Sequence, residues 1–193
     1  RLQLLMGVIR DQSLYRPNNP MRERADQEYE ARRPRVLAAQ QYRCAACGYT
    51  SKSFIECHHQ DGNHANNSDE NLLAVDTLCH AYQHVGQQGG SNRQYAADNM
   101  GGKGQRMTLV AAVPELRAED VNLLQRAIGA ALLDPQEEAM AKRIHKRLSE
   151  RTIPVREAFG TFFPEDFGAA MLKSVLSDES YEARGTVIGD LRL

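Results

Sequence analysis

Apolar residues in this chain gather in short clusters between long polar stretches. Residues 1–10 (RLQLLMGVIR) contain an apolar run that reads as a buried strand. Asn18, Asn19 and Pro20 mark a turn. Residues 21–41 have helical composition but are interrupted by Pro34. Proline is tolerated in a first helical turn, so a separate short helix is expected over 34–40. Residues 53–58 read as a short strand, and Asp61-Gly62-Asn63 as a loop or hairpin turn. Leu72-Leu73-Ala74-Val75 then leads toward Cys79, with a short helix expected to carry His80 to Gln83. The Gly-, Gln- and Asn-rich stretch 86–105 reads as a long loop. Its Gly101-Gly102-Lys103-Gly104 element lacks the strand and the Lys-Ser/Thr dipeptide of a P-loop, so no phosphate site is expected there. A strand over 108–113 closes at Pro114, and helical patterns follow over 118–133, 135–151 and 165–176. The chain is therefore expected to be α+β. A metal-binding region spans 1–114, and a mainly helical region over 115–193 packs on it as one compact unit.

Charge narrows the functional classes. Lys and Arg total 24 against 25 Asp and Glu, a net charge of -1, without the basic excess of an avid nucleic-acid binder. Arg22, Arg24, Arg32, Arg33 and Arg35 are interleaved with Asp26, Glu28 and Glu30, the pattern of a solvated mixed-charge helix. Sequence-independent DNA binding through that region is a weaker alternative. No apolar run approaches the roughly 18 residues of a membrane span, and no signal peptide is visible. Two of the four cysteines form a Cys-x-x-Cys pair with histidines nearby. That arrangement fits a metal in a reducing cytoplasm better than disulfides.

The chemistry concentrates between Cys44 and His84. Cys44 and Cys47 form one knuckle, and Cys79 with His84 can return to the same point, a four-ligand set for a structural Zn2+. His80 directly follows Cys79 and is expected to point elsewhere. Tyr82 is a poor zinc ligand, and Cys57 reads as a buried strand cysteine.

Residues His58-His59-Gln60-Asp61-Gly62-Asn63, Asn66-Asn67 and Glu70-Asn71-Leu72 between these knuckles resemble the HNH nuclease family. The resemblance implies a ββα-metal fold over 42–84. It implies His59 as the general base, His58 as a ligand of a catalytic Mg2+ or Mn2+, and Asn71 as the residue holding the base. The family's last knuckle cysteine and the histidine after it correspond to Tyr82 and Gln83 here. That departure implies a retained fold with catalysis lost. The intact His58-His59 segment keeps a metal-dependent DNA endonuclease open as the alternative.

A narrower resemblance covers the whole chain. An initial strand, an Arg-rich helix and the Tyr42-Arg43-Cys44-Ala45-Ala46-Cys47-Gly48 knuckle come first. The Asp61–Leu72 loop, a Gly-rich loop, Val113-Pro114-Glu115-Leu116, residues 155–160 and residues 167–172 follow. This order resembles the DotN/IcmJ family of Dot/Icm type IVB secretion systems. The resemblance implies a non-catalytic, zinc-stabilised adaptor of the type IV coupling complex. It would bind the C-terminal tail of the VirD4-like (DotL-type) coupling ATPase and other coupling subunits, and sit in the cytoplasm at the inner-membrane complex through that partner. A related conjugation apparatus, with DNA as cargo, is the alternative setting.

Overall fold

The computed structural model describes residues 2–16, 19–86, 108–173 and 177–193. It is mixed α+β, with two small sheets and many helices. Contacts divide the chain into two compact units, Arg1–Leu4 with Ile9–Gln83, and Leu5–Val8 with His84–Leu193. The expected boundary at residue 114 falls within the second unit, because the strand before Pro114 pairs with the last residues of the chain.

The first unit is built on helix α1 (Arg22–Ala39), strands β1 (Ile55–His59) and β2 (Leu72–Asp76), and helix α2 (Thr77–Ala81). α1 runs continuously through Pro34, where sequence led us to expect a break and a second helix. An interior proline forfeits a hydrogen bond and costs about 3 kcal/mol. Contacts on both sides of it oppose a break: Arg32 and Arg35 both bind Asp69, at 3.2 and 2.7 Å, and Val36 and Leu37 are buried. β1 and β2 are antiparallel, with Glu56 opposite Val75 and His58 opposite Leu73. Gln40, just past α1, splices helix to sheet. Its amide donates to the Leu72 carbonyl and accepts from the Ala74 N–H, both at 2.8 Å. Asp76 caps α2 by accepting from the Leu78 N–H at 2.8 Å. The Thr77 N–H donates to the Phe54 carbonyl, tying the helix start to β1.

In the second unit β3 (Ala111–Ala112) pairs antiparallel with β4 (Leu191–Arg192). Around them lie α3 (Ala118–Ala131), α4 (Glu138–Glu150), α5 (Thr152–Phe159), α6 (Pro164–Leu172), α7 (Asp178–Glu182) and α8 (Gly185–Ile188). The expected strand over 108–113 is thus a two-residue strand. Residues 2–10 form no strand of either sheet, so the expected N-terminal strand is not found. Within the second unit, side chains satisfy part of that backbone. Tyr181 Oη accepts from the Val8 N–H and donates to the Val8 carbonyl, both at 2.9 Å, and Arg184 donates to the Met6 carbonyl. Of the Gly-rich stretch, 87–105 lies outside the described residues, as does its GGKG element. Among the described residues no helix is long and apolar enough to cross a membrane.

Candidate metal centre

Cys44 and Cys47 come together because their turn is closed twice. The Gly48 N–H donates to the Cys44 carbonyl, and the Cys44 N–H to the Tyr49 carbonyl. Gly48 sits at φ +80, a conformation that favours glycine. The Ala45 N–H donates to the Ala74 carbonyl at 2.8 Å, which carries the knuckle onto β2. β2 runs directly into α2 and Cys79. The three sulfurs lie within 4.8 Å of one another, and all three residues are buried. Thiols of Cys47 and Cys79 donate to Cys44, whose acidity is thereby strongly increased. Cys47 is pushed the other way, since its bond to Cys44 holds its proton. Metal binding takes these side chains as thiolates, so an incoming ion displaces their protons.

His84 does not join this set. Its ligand atom lies with those of His58 and His80, all within 4.8 Å. α2 ends at Ala81, and the chain leaves it through three-residue turn bonds from the Tyr82 N–H to the Cys79 carbonyl and from the Gln83 N–H to the His80 carbonyl, so His84 lies past the helix. Cys79 and His80, being consecutive, belong to different clusters, so His80 points away from the cysteines as expected and joins a histidine set that the sequence did not suggest. Tyr82, in the place of the absent cysteine, is fully buried at 1% exposure. Cys57 is a buried strand cysteine, with burial pushing its thiol up to about 11.

The period of β1 supplies the rest of the histidine cluster. Alternate residues of a strand share a face, so Glu56 goes with His58 and Cys57 with His59. Glu56 Oε2 lies 2.7 Å from Nδ1 of His80. That bond holds the Glu56 carboxyl below its usual range. The rings of His58 and His80 meet edge to face at 5.2 Å. Burial drives the His58 pKa down to about 3, so it is a neutral imidazole with a lone pair to give. Three imidazoles, one beside a carboxylate, make a coherent donor set for a divalent ion.

His59 faces α1. It stacks on Tyr29 at 5.7 Å, and its Nε2 is 2.9 Å from Asn67 Oδ1. Asn67 Nδ2 donates to the Ala25 carbonyl at 2.9 Å, which fixes Oδ1 as the atom facing the imidazole. Nε2 of His59 therefore carries the proton, and Nδ1 is its basic nitrogen. Sequence gave this orienting role to Asn71. Asn71 instead fastens the loop between the strands. It donates to Asp61 Oδ1 at 2.9 Å and the Asn66 carbonyl at 2.8 Å, and accepts from the Asp61 N–H at 3.1 Å.

Sequence reasoning passed over His80, Glu56 and Asn67. The His-x-x-x-His spacing of His80 and His84 was the available signal. Glu56 and Asn67 had none, because their roles depend on which strand face and which helix they meet. No protein-family model matches the chain, and no curated protein matches it.

Proposed function

We propose that the protein is a metal-dependent phosphodiesterase acting on nucleic acid, an HNH-like endonuclease held together by a zinc site. The observation that carries this reading is the grouping of the ligand atoms of His58, His80 and His84, with the next strand residue, His59, presenting an Nδ1 left basic by Asn67. The adaptor expectation drew on the loss of a helix ligand at Gln83. His80 and His84 supply two helix-side ligands without it. A divalent ion in the imidazole set would neutralise phosphate charge and stabilise the leaving oxygen. His59 takes the proton of the attacking water on Nδ1, with Asn67 fixing its tautomer and Tyr29 its ring plane. Imidazole donors suit Zn2+, Ni2+ or Fe2+ better than Mg2+. Cys44, Cys47 and Cys79 are three soft donors for a structural Zn2+. Its fourth donor is left to solvent or to a group in the cavity of about 430 Å³ that Cys44 and Cys47 line with Arg43 and Gln40. Supercoiled plasmid incubated with Ni2+, Zn2+, Mn2+ or Mg2+ tests the reading. Nicking that His59→Ala abolishes is expected, and an inert parent protein with both sites loaded rejects it.

A second reading is the adaptor of a type IVB coupling complex. It is favoured by exposed apolar side chains along the helical unit, among them Leu133 (87%), Met140 (52%) and Ile153 (46%). Co-purification with the C-terminal tail of a VirD4-like ATPase, undiminished in His59→Ala, supports it. No complex at micromolar concentration removes it.

A further inference from the structure

Beside His59 lies a second imidazole that the metal set does not use. His64 meets the His59 ring edge to face, with centroids 5.1 Å apart. Its Nε2 is 2.7 Å from Asp26 Oδ1. Asp26 is gripped by Arg16 through two bonds of 2.9 Å, with Arg22 at 3.7 Å. That guanidinium keeps the Asp26 carboxylate ionised, so Nε2 of His64 donates to it and Nδ1 is the nitrogen left for other chemistry. The loop is rigidly placed. The His64 N–H donates to the Leu14 carbonyl at 3.1 Å, and Asp61 accepts from the Asn63 N–H and the Asn66 amide.

We propose that His64, backed by Asp26, is the general acid of the phosphodiester cleavage, a role that rests on the hydrolytic reading above. An in-line displacement has its attacking and leaving oxygens on opposite sides of phosphorus, so two neighbouring imidazoles can serve one each. Water attacks phosphorus as His59 Nδ1 takes its proton. The P–O bond to the leaving group breaks, and its electron pair receives the proton from His64 Nδ1. A water–phosphorus bond forms, one ester bond breaks, and the proton gained by His59 balances the one lost by His64. A carboxylate on the far nitrogen stabilises the protonated ring before transfer, as carboxylate-backed imidazoles do.

An acid is needed only when the leaving oxygen is a poor leaving group. His64→Ala is therefore expected to slow plasmid nicking about 100-fold or more. Hydrolysis of bis(p-nitrophenyl) phosphate, whose leaving group departs unprotonated, should slow by less than about 10-fold. His59→Ala should slow both. Asp26→Asn should repeat the His64 pattern more weakly. His64→Gln, which can keep a hydrogen bond to Asp26, should behave as His64→Ala and serves if the alanine variant does not fold. Metal content of the variants should match the parent. Equal losses on the two substrates, unchanged plasmid nicking, or loss of bound metal in His64→Gln each overturn the assignment. A parent inactive on both substrates overturns the hydrolytic reading itself.

Discussion

Glu56 and His80 meet at 2.7 Å, carboxylate oxygen to Nδ1, across the gap between β1 and α2. An ionised carboxylate there keeps the proton on Nδ1 and turns Nε2 of His80 into the ligand nitrogen. Glu56→Ala should weaken Ni2+ binding at the histidine cluster by about 10- to 100-fold, the usual effect of losing such a partner. Calorimetric titration of zinc-loaded protein measures it. Unchanged affinity would mean that the carboxylate is only a surface ion-pair partner.

The two clusters should bind two ions per chain. Cys44→Ser is expected to remove one and to lower thermal stability, whereas His80→Ala removes the other. Elemental analysis of each variant counts them. If His84→Ala lost the ion that Cys44→Ser loses, the separation of the clusters would be refuted.

Asn71 and Asn67 should fail differently. Asn71 is buried and holds three hydrogen bonds of the inter-strand loop. Asn71→Ala should cost about 2 kcal/mol of unfolding free energy in urea, because it strands buried polar groups. Asn67→Ala should instead show its main effect on hydrolysis, by freeing the His59 tautomer.

Acid should destabilise the protein partly through Asp26. The Arg16 guanidinium, then His64, hold its carboxyl far below the usual carboxylate range. A depressed folded-state pKa adds stability above the unfolded value, and that stability is lost as pH falls through the folded value. Arg16 and Arg22 stay charged throughout, so protonation of Asp26 leaves two cations facing each other and His64. Melting temperature should drop more steeply below about pH 4 in the parent than in Asp26→Asn. Parallel curves would remove Asp26 from the account.

In the helical unit α6 rests directly on the backbone of Val85. A Cβ at Gly168 would stand 2.1 Å from the Val85 carbonyl oxygen. Gly168→Ala should cost at least about 1–3 kcal/mol, since backbone cannot move aside as a side chain can. Chemical denaturation checks this, with Gly129→Ala, which meets nothing within 4 Å, as the control.

The residues of chemistry were legible because their types are rare and their spacing is local. Cys44-x-x-Cys47, the consecutive histidines 58 and 59 and the turn at Asp61-Gly62 follow from a few neighbouring dihedral angles. Sequence also placed a short strand over 53–58, close to the observed Ile55–His59, whereas 72–75 was legible only as an apolar segment leading to Cys79. Other assignments depended on contacts far apart in the chain. α1 passes through Pro34 because Asp69 and the sheet hold both of its halves. Only the fold decided that His84 groups with His58 and His80, because it lies past the end of α2, where spacing from Cys79 no longer sets the direction of a side chain. Likewise Asn67 rather than Asn71 reaches His59, since the first amide is anchored on α1 and the second is consumed within its own loop. Spacing fixes which side chains share a turn, and packing fixes what each turn faces.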